Sequence, residues 1–283
     1  MTKTVTQAVE ELVRAMAGLS DADMGRAWKW RDYDEEGLRF ALLMTHHELR
    51  DLAARLASRR EREPSETERI LAQYHQAYRD LTGVLAAVRT EDLDTPPEEG
   101  QWPVRDVAAH MLGAEWGFLA VNRFALERQR AGNAIEPSGD EFRAFQAPYR
   151  EQRIAAEAAV AAGAIGEIRN AFFDVHRRVL RELAGVTDAE LAAPAWFWEN
   201  EAMPIRFRLH RFEAHLRQHT IQLDKTLAVV RPPTEAHRLV RNIYNALADV
   251  EMEDASADDV RAAVAGEIST RAATIAASVS SAA

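Results

Sequence analysis

The chain has 283 residues, no cysteine and a formal charge of −10, with no long basic run, which argues against nucleic acid, whose affinity rests on phosphate neutralisation. Without cysteine there are no disulfides, zinc–thiolate sites or cysteine nucleophile, and thiol chemistry needs an external thiol. No apolar run reaches the roughly 18 residues of a transmembrane span, and residues 1–13 are amphipathic and acidic rather than basic-then-apolar, so a cytoplasmic protein with no membrane partner is expected.

A 47 % hydrophobic content with only 13 Gly predicts an all-α protein. Residues 5–19 carry apolar side chains at helical spacing and stop at Gly18. An aromatic, irregular stretch follows, and residues 35–60 predict a second helix, so residues 1–62 read as a helical hairpin. Ser65 and Glu68 form a capping box that opens a third helix to about Val88. After a loop rich in Pro, Asp and Glu, Pro103 sits at the first turn of a fourth helix that runs to about Arg130.

The Ala-rich stretch 141–184 reads as one long helix or two, interrupted near Gly163 and Gly166. Thr187 and Glu190 form another capping box. A second aromatic loop (194–203) leads into a helix from Pro204 to Val229. Residues 235–252 and 257–278 predict two more helices, and strand-like alternation is absent throughout.

The chain repeats itself. A shift of 167 lays Arg14-Ala-Met-Ala-Gly-Leu on Arg181-Glu-Leu-Ala-Gly-Val, and Arg39-Phe-Ala-Leu on Arg206-Phe-Arg-Leu; a shift of 168 lays Trp28-Lys-Trp on Trp196-Phe-Trp. A looser third copy joins the segment 93–106 to 191–208. The unit is helix, turn, aromatic loop, helix, which cannot bury its apolar face alone, so copies should pack in a bundle.

The repeat sorts the histidines. His215 and His219 lie four residues apart on one helical face, while the first copy has Glu48 and Leu52 there. His110 lies on the helix that the looser repeat makes the counterpart of 204–229, which would set it opposite the pair. Three neutral imidazoles with one or two open positions describe a catalytic-type site for zinc, nickel, iron or manganese.

Residues 101–110 (QWPVRDVAAH), together with His215, His219, Gln222 and Leu223 (H-x3-H-x2-Q-L), resemble the DinB/YfiT-like superfamily over about residues 65–230. The resemblance implies a four-helix bundle with a long crossover over residues 63–232; the N-terminal hairpin, expected to pack on it, and the C-terminal helices over 233–283 depart from the family pattern. It implies His110, His215 and His219 as ligands of one divalent metal. Some relatives are transferases or isomerases that use a low-molecular-weight thiol as cofactor, held by the metal as thiolate. Others are regarded as metal-dependent hydrolases, and a non-catalytic metal-binding or stress-associated helical protein is a further alternative.

The other chemistries lack their motifs. The segment from His215 is HLRQH, without the glutamate of HExxH, and no nucleophile elbow, Walker loop or dinucleotide-binding glycine pattern is present. Arg206 and Arg211 are candidates to receive an anionic small-molecule substrate, with Trp102 and Trp198 as pocket walls. Arg208 belongs to the same basic stripe. Asp106 and Glu115 are read as solvated or supporting groups, His210 as pointing elsewhere, and His75, His176 and His237 as ordinary helix residues. A homodimer through bundle faces is expected to be feasible.

Overall fold

Capping boxes set several of the helix starts. In a computed structural model that describes residues 3–133, 135–197, 201–253 and 257–280, nine α-helices account for most of the described residues. They are α1 (Val5–Met16), α2 (Leu38–Ala57), α3 (Glu66–Leu85), α4 (Val104–Arg130), α5 (Gly139–Ala162), α6 (Ile165–Leu183), α7 (Ile205–Val230), α8 (Glu235–Glu251) and α9 (Asp258–Ser280). The Ser65 amide donates to Glu68 and the Glu68 amide to Ser65 Oγ, the reciprocal pair that satisfies two orphan donors. Thr4 with Gln7, Ser138 with Glu141 and Thr234 with His237 do the same for α1, α5 and α8.

The 141–184 stretch is two helices. The chain leaves α5 at Gly163, which is extended, and a Cβ there would meet the Ala159 carbonyl at 2.4 Å. The Thr187–Glu190 box is only half formed: the Thr187 amide and hydroxyl both donate to the Glu190 carboxylate, the Glu190 amide bonds the Thr187 carbonyl, and the segment opens a 3-10 turn, Glu190–Ala192, instead of an α-helix. The second aromatic loop contains a small antiparallel pair, β1 (Pro194–Ala195) with β2 (Met203–Pro204), where no strand was expected. Two residues per strand are too few for an alternating pattern.

The chain divides into two compact units. The first comprises residues 1–63, 82–87 and 232–283. In it α1 packs on α9 and α2 on α8, so the N-terminal helices pair with the C-terminal ones instead of closing a hairpin on each other. Val9 and Leu12 of α1 and Ala265, Ile268, Ala272 and Ile275 of α9 are buried in one hydrophobic cluster. Arg271, 4 % exposed, donates to both Glu48 carboxylate oxygens at 2.9 Å and to Thr45 Oγ1 at 2.7 Å.

The second unit comprises residues 64–81 and 88–231. Tyr74 of α3 reaches Glu115 of α4, His176 of α6 and Phe212 of α7, so these four helices surround one core. The connection from α4 to α6 carries α5, which lies along α4 and α6. This is an all-α fold apart from the short β1–β2 pair.

The internal repeat has a backbone signature. In each copy the second helix starts with an amide bonded to a carbonyl twelve residues earlier, just past a 3-10 turn. The pairs are Leu38 to Arg26 (3.0 Å), Arg105 to Leu93 (3.0 Å) and Ile205 to Ala193 (2.9 Å). Shifts of 100 and 167 relate the three. In the first copy Gly37 precedes the helix at φ +61°, and a Cβ there would meet the Arg26 carbonyl at 2.5 Å; the third copy carries Pro204 at that place.

Candidate metal centre

Arg105 anchors the start of α4. It is bidentate on Asp94 and donates to the carbonyls of Val160 and Gly163. One turn further on, His110 faces α7. His215 and His219, four apart on α7, face back, and the ligand-capable nitrogens of the three rings all lie within 4.8 Å of one another. His110 Nε2 and His215 Nε2 are 3.2 Å apart. Two ligands of a tetrahedral ion at about 2.0–2.1 Å would be about 3.3 Å apart, so this pair already has the spacing that a shared ion requires.

The donor set fits a cation in its protonation as well. His215 is 7 % and His219 8 % exposed, whereas His110 is open to solvent. Burial, then the neighbouring His219, His110 and Arg211, push the His215 pKa down to about 3. Burial, His219 and Arg153 push His110 down too. Neutral imidazole is the form that coordinates a metal. His219 Nδ1 lies 2.8 Å from Gln222 Oε1; an amide oxygen only accepts, so that nitrogen carries the proton and Nε2 keeps its lone pair. His215 Nδ1 is buried with no partner.

No fourth protein group completes the cluster among the described residues. Glu115 does not: its Oε2 accepts from the Tyr74 hydroxyl, its Oε1 is buried without a partner, and burial pushes its pKa up to about 8. Three nitrogen donors with one exposed side is the pattern of an open site.

The walls are aromatic and basic. The Trp102 ring lies 5.3 Å from that of His110, and Phe118 meets His215 edge-on at 5.4 Å. The Arg211 guanidinium lies over Phe118 at 5.6 Å. Of the four residues expected to receive substrate, Trp102 and Arg211 are therefore beside the triad. Arg206 is not: it is bidentate on Glu66 at the start of α3, because it projects from the first turn of α7, more than two turns from His215. Trp198 lies outside the described residues. Arg208 is buried and donates to the Ala195 carbonyl, so it braces the β1–β2 loop.

Other histidines need correction. His75 and His176 are not ordinary helix residues. They are buried, 2.9 Å apart through Nδ1 and Nε2, and Tyr78 stacks on His176 at 3.8 Å. His237 serves in the cap of α8. Arg153 was not foreseen beside His110; it lies on an Arg- and Ala-rich helix whose sequence has nothing to mark it.

Gln222 gives a separable prediction. Its amide orients His219, and losing such a partner typically weakens metal affinity 10–100-fold. Zinc titrations of Gln222→Ala against the wild type should show a drop in that range with unchanged stoichiometry; equal affinity would deny Gln222 this role.

A family model for the DinB superfamily matches residues 73–223, just over half of the chain. No curated protein and no solved structure matches. The matched segment contains the Tyr74–Glu115 core contact and all three clustered histidines, and with the helical fold it shows that this chain belongs to the DinB superfamily, which includes metal-dependent enzymes.

Proposed function

We propose that the protein is a divalent-metal-dependent enzyme of the transferase or isomerase type that uses an external low-molecular-weight thiol. The observation that carries this is the three-nitrogen cluster of His110, His215 and His219, buried on the α7 side and open on the His110 side. A bound divalent ion would supply Lewis acidity there and hold the sulfur of the external thiol as thiolate. His219 is held in one tautomer by Gln222. Phe118 packs edge-on against His215 on the buried side, and Trp102 stands beside His110 on the open side. Arg211 offers a positive charge to an anionic thiol or substrate. The chain has no cysteine to compete for the ion.

A second reading, a metal-dependent hydrolase, shares the ligands and needs a base to take a proton from water. Glu115 is the nearest buried acid on α4, but it is engaged by Tyr74 and holds its own proton up to about pH 8, which favours the thiol reading. The deciding experiment incubates zinc-, nickel-, iron- and manganese-loaded protein with activated electrophiles and a panel of biological thiols. Thiol consumption that depends on loaded metal supports the proposal. Ester or amide hydrolysis at equal rate without thiol would replace it by the hydrolase.

A further inference from the structure

One face of α4 bears His110, Gly113, Gly117 and Ala120, spaced three, four and three residues apart, so the strip beginning at the triad continues along the helix as small side chains. Gln146, Arg150, Arg153 and Glu157 form the matching strip on α5. Between them is a cavity of about 650 Å³, floored by Trp116, Gly117 and Ala120, a volume typical of small-molecule sites. At its triad end Gly113 meets the Glu157 carboxylate and the Arg153 guanidinium, where a Cβ would come within 2.7 Å and 3.3 Å. Above Gly117 the space is open.

The polar groups here call for an acceptor. Trp116 is 6 % exposed and its indole N–H has no partner. Three arginines and two glutamates line the cavity, one positive charge in excess. Arg143 is tied to Asp140 and Arg153 to Glu157, while Arg150 has no carboxylate partner among the described residues. A carboxylate only accepts, and an apolar body of aromatic size suits the floor of Trp116, Gly117, Ala120 and Ile154.

We infer that this cavity binds a small carboxylic acid with an apolar body, its carboxylate held by Arg150 and Arg153, at a subsite set apart from the histidine centre by the Arg153–Glu157 pair over Gly113. The inference goes beyond the reading of that centre as an enzyme site and does not depend on it. Binding itself needs no metal, which separates the two tests. The whole chain, metal-free and zinc-loaded, is titrated calorimetrically with benzoate and with its neutral isostere benzamide.

Benzoate should bind both forms, at least about tenfold more tightly than benzamide, since hydrogen bonds to charged groups carry that much. Arg150→Gln and Arg153→Gln should each weaken benzoate about tenfold while zinc stoichiometry is kept, and Gly117→Val, which fills the open space, should abolish it. Benzoate binding no tighter than benzamide, or untouched by both arginine variants, overturns the proposal. Retained benzoate binding in a chain that takes up no zinc supports the cavity and counts against the metal-enzyme reading alone.

Discussion

Replacing His215 by Ala should remove the stabilisation that zinc confers on the wild-type protein. An ion that binds only the folded chain stabilises it by about 2.7 kcal/mol at a hundredfold excess over Kd, a rise in melting temperature of roughly 5–10 °C for a unit of this size. His215 is the most enclosed of the three ligands and contributes the nitrogen 3.2 Å from His110. Without it only two imidazoles remain, and affinity should fall by more than the roughly 10–100-fold that loss of an orienting partner costs. The metal-free variant should melt close to the metal-free wild type, because the buried Nδ1 of His215 has no partner and its removal relieves an unsatisfied polar group. Scanning calorimetry with and without zinc separates these outcomes. A variant that keeps the full zinc-dependent rise would place the ion elsewhere.

The second large effect concerns Glu115. Fully buried, it keeps its proton up to about pH 8 in the folded chain, whereas an unfolded chain releases it near pH 4.3. Between these values the native state binds one more proton, so stability falls as pH rises, by about 1.4 kcal/mol per pH unit. Below about pH 6.5 the depressed histidines oppose this: His176 and His215 stay neutral in the fold and charge on unfolding, so they favour the native state increasingly as pH rises to that point. Their slope fades only by about pH 7.5, one unit above the unfolded value, so up to there they offset part of the Glu115 effect. Chelator-treated wild type should therefore lose about 1 kcal/mol between pH 6.5 and 8, roughly 2–4 °C in melting temperature. Glu115→Gln, which can still accept from Tyr74, should flatten the profile over that window. An unchanged slope in the variant would show that the carboxyl ionises freely in the fold.

These two sites mark how far the sequence could be read. The helices were legible where capping chemistry is local: Ser65 with Glu68 needs only a three-residue spacing. The repeat was legible because its turn and helix residues recur at 167, and the backbone bonds of Leu38 and Ile205 recur with them. The histidine cluster was legible through the four-residue spacing of His215 and His219 and the matching place of His110.

What local spacing cannot encode is which polar groups the packing closes over. Glu115 reads as a surface glutamate until Tyr74 of another helix covers it. His75 and His176 are 101 residues apart and meet only through packing. The pairing of α1 with α9 joins the two ends of the chain, so no short-range signal reports it. Arg206 and Arg211 share one helix, and only the tertiary placement of Glu66 and Phe118 sends one to an ion pair and the other to the site.

Elemental analysis of protein purified from metal-replete growth, compared with the His110→Ala/His215→Ala/His219→Ala variant, tests the centre most directly. The wild type should carry about one divalent ion per chain and the variant none. Equal metal content in both, or a wild type that takes up no ion even after reconstitution, would contradict it.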